Sequence, residues 1–251
     1  MSDQVGLEDH YAQMGADVFE DFRTVAVSRR ALDLAEGDGR LVDVGCGVGV
    51  LVSYAWRDNR DVLGVDISDA QINRARSCFK VRELPVEILR HATVETLLEE
   101  EGGDAFSVAT LLDVIEHVEH PVDLLSSVRQ LLLPGGQVVI SVPAHPEFFD
   151  ARDKLIGHQR RYTPTMLVEH MKDADFDVDY VGYWNWLGWM HRKVGDLVDR
   201  GQATSGYGFR YSTNPLARGL NTVLKCYFLQ VENRISPPIG LTLFATGRKR
   251  G

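Results

Sequence analysis

Three cysteines in 251 residues, Cys46, Cys78 and Cys226, are too few, too scattered and odd in number to suggest a disulfide framework or a zinc motif. Reduced thiols are the expectation. Long apolar runs are missing as well: stretches such as VVISV at 138–142 are far too short to span a bilayer, and the opening MSDQVGLEDH is acidic and polar. A soluble, cytoplasmic protein with no membrane span is expected. Nor is there an excess of basic charge, because 27 Lys and Arg against 36 Asp and Glu leave a net charge of −9, which repels a phosphate backbone. No nucleic-acid partner is expected. No internal repeat, low-complexity tract or Gly/Ser/Pro-rich linker divides the chain, so one domain over residues 1–251 is anticipated.

What the sequence does have is a regular alternation of short apolar runs and helical patterns. Apolar positions at helical spacing (Val18, Phe22, Val25, Val27, Ala31, Leu34) predict one or two helices within residues 1–37, stopped by EGDG. RLVDVGCG, DVLGVDIS, VEILRHA, AFSVATLLD and QVVISVP then read as five buried strands separated by helices, the last of these being VDLLSSVRQLLLPGG. Such alternation implies βαβ crossovers and a parallel sheet covered on both faces, a doubly wound α/β fold. After residue 144 the helix PTMLVEHMKDA leads to the strand DFDVDYVGY, and IGLTLFATGRK is the last strand at 239–249. This divides the chain into N-terminal helices (1–37), a core (38–184), a helical insertion (185–238) and a closing strand. The insertion is longer than a hairpin needs. In it Asn214 and Pro215 start a helix whose face is predicted to carry Leu216, Leu220, Val223, Leu224, Tyr227 and Val231.

In open α/β sheets a ligand sits beyond the carboxyl ends of the strands where their order reverses, so the loop after the first strand is the place to look. DVGCGVGV occupies it, with Gly45, Cys46, Gly47 and Gly49 letting the backbone turn sharply and a ligand approach closely. A dinucleotide fingerprint asks for glycine at 45, 47 and 50, and Val50 departs from it. That weighs against NAD. Asp66 ends the second strand, where a carboxylate can accept hydrogen bonds from both ribose hydroxyls. Asp43 lies inside the first strand and needs a cationic or donor partner, for which the amino group of a methionine moiety is a candidate. The plainer alternative is that both aspartates merely cap the elements that follow them.

LVDVGCGVGVL, VLGVDIS, TVETL, LLDVIEHVEHP and LLLPGGQVVISVP, in this order, resemble the successive motifs of class I S-adenosylmethionine-dependent methyltransferases. Within that class the core, over about residues 38–145, resembles the ubiquinone-biosynthesis-type O-methyltransferases. The resemblance implies a seven-stranded Rossmann-like sheet with its last strand antiparallel and a helical insertion before it. It also implies S-adenosylmethionine as cofactor and S-adenosylhomocysteine as product. Gly45, Gly47 and Gly49 would then lie under the methionine part with Asp43 and Cys46 beside them, and Asp66 would hold the ribose next to Ile67. Thr93, Val94 and Glu95 would flank the adenine, and Leu112 would touch the cofactor at the end of the fourth strand. Many members carry Asp after the third strand, where this chain has His91 and Ala92.

An oxygen or nitrogen acceptor benefits from a base that removes its proton near neutral pH. His117, His145 and His158 are the candidates by location, with Tyr162 as a further one, and Arg160 and Arg161 could bind a substrate carboxylate or phosphate. Each histidine could equally be a structural hydrogen-bonding residue. Asp113, Glu116 and His117, spaced i, i+3 and i+4, could share one helical face and offer ligands to a divalent ion. Related methyltransferases use Glu-x-x-Glu-His for metal; Asp replaces the first Glu here, so no metal is expected. YWNWLGWMH and the stripe on the later helix could form an apolar cap beside the substrate, ordinary core, or the face of a homodimer. The function expected is methyl transfer to a small molecule, foremost to a hydroxyl oxygen. Transfer to nitrogen or carbon, to RNA or protein, and cofactor binding without catalysis are the rivals.

Overall fold

The computed structural model describes residues 16–198 and 215–250. Seven strands form one sheet: β1 (Leu41–Val44), β2 (Val62–Asp66), β3 (Leu89–His91), β4 (Phe106–Leu112), β5 (Leu132–Pro143), β6 (Phe176–Trp184) and β7 (Thr242–Lys249). Their order is β3-β2-β1-β4-β5-β7-β6. The pairs among β1 to β5 are parallel, and β7 is antiparallel to both β5 and β6. The doubly wound class and the antiparallel last strand are therefore as expected.

The apolar runs form strands because both faces of the sheet are covered. Alternate residues of β1 go to opposite sides: Val42 and Val44 pack with Leu97, Leu125 and Leu167, whereas Leu41 packs with Ala26, Ala31 and Phe79. The connecting helices are α1 (Phe22–Leu34), α2 (Val50–Arg57), α3 (Asp69–Val81), α4 (Val94–Glu101), α5 (Pro121–Leu131), α6 (Ala151–Leu155) and α7 (Pro164–Asp173). Side chains cap several of them: Asp21, Ser68, Thr93 and Thr163 each accept a backbone N–H of the first turn.

Several boundaries differ from the sequence expectation. Helix α5 stops at Leu131, and Leu-Pro-Gly-Gly joins β5. Pro134 accounts for this, since it disfavours helical backbone at the residue before it and cannot donate to a helix. Residues 113–120 form irregular turns rather than a helix, and Asp113 has a positive φ of 55°.

The insertion contains α8 (Trp186–Val198) and α9 (Pro215–Gln230). Helix α9 does not bury the expected stripe: Leu216, Leu220, Val223 and Val231 are exposed, while Phe228 is buried. Phe228 stacks on Phe22 at 5.4 Å between ring centres and lies 4.9 Å from Trp184. Asn221 Oδ1 accepts the Phe22 N–H at 3.1 Å and Lys225 pairs with Glu20, so polar anchors at i and i+4 turn this face toward α1. The Asn214 cap, residues 1–15 and residues 199–214 lie outside the described part of the chain. Among the described residues no helix is long and apolar enough to cross a membrane.

Candidate active site

The strand order reverses between β1 and β4, and the carboxyl ends of β1, β2 and β4 meet there. The loop after β1 is tied to β2 twice, since the N–H groups of Gly45 and Cys46 both donate to Val65 O, at 2.8 and 3.0 Å. Gly47 has φ +53°, and a β-carbon on it would meet nothing within 4 Å. Open space therefore lies directly over its backbone. Its N–H donates to Asp66 Oδ2 at 2.9 Å, while Ser68 N–H donates to Asp66 Oδ1 at 2.8 Å. The carboxylate thus fixes both loops, and its remaining lone pairs are free for further donors. Burial pushes the Asp66 pKa up, against the two backbone hydrogen bonds that pull it down.

Gly49 also has a packing role within the fold. It is buried with φ +81°, and a β-carbon would come within 2.8 Å of Phe79 Cε1. The missing side chain allows the close packing of α2 against α3. Cys46 likewise turns its thiol into the core, where burial raises its pKa. Asp43 is buried beside Thr110 on β4, whose hydroxyl donates to Asp43 Oδ1 at 2.6 Å. Burial raises the Asp43 pKa to about 7, with the Thr110 hydrogen bond opposing it.

Toward the other side, Ile67 is three-quarters exposed and its carbonyl lies 3.1 Å from His91 Nε2. Thr93 and Glu95 are exposed at the start of α4. The Val94 side chain is buried with Leu97 in the core, which leaves only its backbone to face a ligand. Leu112, at the end of β4, is partly buried. An exposed apolar Ile67 beside the open Gly47 and an acidic Asp66 suits a nucleoside with a ribose, and the residues present fit such a cofactor.

Three residues converge farther along the edge. One donor atom from each of Glu116, His117 and His158 lies within 4.8 Å of the others. Glu116 is fully buried, and neither of its carboxylate oxygens has a hydrogen-bond partner in the structure. Burial first, and Asp113 second, drive its pKa well above the usual range. His158 Nε2 is 3.8 Å from Glu116 Oε1, and His158 and His117 meet edge to face at 4.7 Å between ring centres. Burial and the neighbouring His158 lower the His117 pKa. Asp113 is not part of this group: it pairs with Arg23 of α1 at 3.2 Å, and Ser141 Oγ donates to it at 3.4 Å. The helical grouping of Asp113 with Glu116 and His117 is thus replaced by one in which a distant loop supplies the third member.

The other candidates are occupied elsewhere. His145, with φ +67°, turns Nε2 to Gly240 O and Nδ1 to Glu147 Oε1, both at 3.1 Å, and stacks on Tyr183. Both ring nitrogens are thus engaged by protein groups. Tyr162 is fully buried, its hydroxyl donates to Ile115 O at 3.4 Å, and burial raises its pKa. A buried phenol of that kind is neither accessible nor basic, which corrects the expectation for Tyr162. Arg161 donates to Asp153 at 2.9 Å, and Arg160 donates to Glu119 O at 3.0 Å, so an anionic substrate group is not their visible partner. Asp153 and Arg23 escaped sequence reading. The only sequence signal for Asp153 is the capping pattern Asp-Ala-Arg-Asp at 150–153.

The family model for a methyltransferase domain matches residues 18–181, well over half the chain. The chain belongs to the methyltransferase domain family. Among curated relatives, the ubiquinone biosynthesis O-methyltransferase of Roseobacter denitrificans is 32% identical over 167 residues, covering 59% of this chain and 66% of the relative. That of Nitrosococcus oceani is 36% identical over 102 residues, 41% of this chain and 42% of the relative. The chain thus aligns with less than two thirds of the length of these relatives. Among solved structures, a chain of the complex between the Haloferax volcanii Trm112 methyltransferase activator and a methyltransferase superposes with a TM-score of 0.63. That match is 17% identical and covers 97% of this chain and 98% of the other. A S-adenosylmethionine-dependent methyltransferase from Archaeoglobus fulgidus gives 0.59 at 16% identity, over 95% of this chain and 100% of that one. At such identities these two show the shared fold.

Proposed function

We propose that the chain transfers a methyl group from S-adenosylmethionine to a hydroxyl oxygen of a small molecule. The observation that carries the reading is the open space above Gly47, bounded by the Asp66 carboxylate and the exposed Ile67. The names of the relatives support oxygen as the acceptor atom, and the acidic charge of −9 weighs against RNA. When bound, the sulfonium supplies an electrophilic methyl group. The chain's own contribution is to align the acceptor in line with it, to exclude water and to take the hydroxyl proton. His158 Nε2 takes that proton, beside Glu116 and His117. Arg192 ties helix α8 to the loop after β5, donating to Phe148 O and pairing with Asp150, and in this reading the helix caps the acceptor side.

A second reading rests on Glu116. A buried carboxylate without a hydrogen-bond partner is costly unless it is protonated or meets a cation, and two imidazoles complete a mixed O/N donor set for a divalent ion. Such an ion would be held by Glu116, His117 and His158 and would lower the pKa of an acceptor hydroxyl.

One assay addresses both readings. Methyl-labelled cofactor incubated with a small-molecule extract should give a labelled methyl ether, and exhaustive chelation should leave the rate unchanged. Label in RNA, protein or an N-methyl product would contradict the first reading. Loss of the rate on chelation, restored by one divalent ion, would favour the second.

A further inference from the structure

His158 stands on the loop after α6 and faces two carboxylates of opposite character. Its Nδ1 lies 2.9 Å from Asp153 Oδ1, and its Nε2 lies 3.8 Å from Glu116 Oε1. Asp153 is buried, and its other oxygen, Oδ2, already accepts the Asp150 N–H at 3.0 Å and Arg161 Nε–H at 2.9 Å. Ion-paired with the Arg161 guanidinium, Asp153 is a carboxylate, and a carboxylate only accepts hydrogen bonds. The ring nitrogen that faces it must carry a proton.

We propose that Asp153 is a positioning residue that locks the neutral His158 ring as its Nδ1–H tautomer and turns the Nε2 lone pair toward Glu116 and His117. Which nitrogen of an imidazole is available is set by the hydrogen bond that the other one makes. Arg161 and the Asp150 backbone complete the device by saturating Oδ2, so the carboxylate cannot rotate away without losing two charge-assisted or backbone hydrogen bonds. The tautomer stands on this geometry alone. Its importance for turnover rests on the role given to His158 above.

The test uses ¹⁵N–¹H correlation spectra of the ¹⁵N-labelled full chain in EDTA, recorded with rising pH until the His158 ring signals no longer change. Two-bond couplings should show His158 protonated on Nδ1 and bare on Nε2. In Asp153→Asn the amide oxygen should remain with Arg161 and the Asp150 N–H, leaving the amide NH₂ to face Nδ1. That donor demands a lone pair on Nδ1 and moves the proton to Nε2. Turnover should fall by about 10²-fold, with cofactor affinity unchanged. A wild-type ring protonated on Nε2 overturns the proposal without any variant, and so does a tautomer unchanged in a folded Asp153→Asn. A tautomer that flips without loss of turnover sustains the proposal and refutes the role of His158 in the reaction.

Discussion

His158→Gln lowers turnover by about 10²-fold or more and leaves the affinity for S-adenosylhomocysteine unchanged. The effect follows from position: the imidazole lies beside Glu116 and His117, on a different stretch of the edge from Gly47 and Asp66, so its loss removes proton transfer without touching the cofactor cradle. Glutamine keeps much of the volume and can still donate or accept, which limits collapse of the loop. His145→Gln should behave differently, because its ring holds Gly240 O and stacks on Tyr183. It should reduce stability more than it reduces turnover per folded molecule. Steady-state rates and cofactor titrations on both variants separate the two roles. Parent-level turnover in His158→Gln would remove this residue from the reaction.

Asp43→Asn has the opposite kind of effect, a large change in stability that depends on pH. The carboxyl has a pKa of about 7 in the folded, ligand-free protein, against roughly 3.9 for an unfolded aspartate. Between these values the folded state holds a proton that the unfolded state releases. The stability it contributes is fully present below the unfolded value and is lost as pH rises through about 7. Across roughly three pH units of difference the loss is about 3–4 kcal/mol, at about 1.4 kcal/mol per unit. Asparagine carries no such dependence and can still accept from Thr110. Urea unfolding of both proteins at about pH 4 and pH 8 should therefore show the variant gaining on the wild type by that amount toward high pH. A difference that stays constant over the range would mean that Asp43 is ionised throughout.

The strands and the glycine loop were legible because their signals are local. An apolar run of four to seven residues flanked by turn residues is a buried strand wherever it falls, and Gly47 beside Asp66 follows from the βαβ unit alone. The histidine cluster was only half legible. Glu116 and His117 are adjacent in the sequence, but the spacing to Asp113 imitated a helical face that the chain, turning at Asp113 with positive φ, does not form. His158 joins them across a loop that no periodicity describes. Asp153 was hidden for the same reason, since its partners Arg161 and His158 lie in irregular chain. Helix α9 misled through its pattern: the leucine stripe is real, but Asn221 and Phe228 lie on the face that meets α1. Hydrophobicity ranks faces by composition, whereas orientation here is set by specific polar anchors and one stacked aromatic pair.

The central claim is that the space over Gly47 takes an S-adenosyl cofactor by its ribose, and calorimetric titration tests it directly. Wild-type protein should bind S-adenosylhomocysteine and show no heat of binding with NAD. In Asp66→Ala the same titration should weaken by about 1.5–3 kcal/mol, the cost of losing hydrogen bonds to a charged group. Binding of NAD in place of S-adenosylhomocysteine, or an affinity for the latter that Asp66→Ala leaves unchanged, would contradict the account.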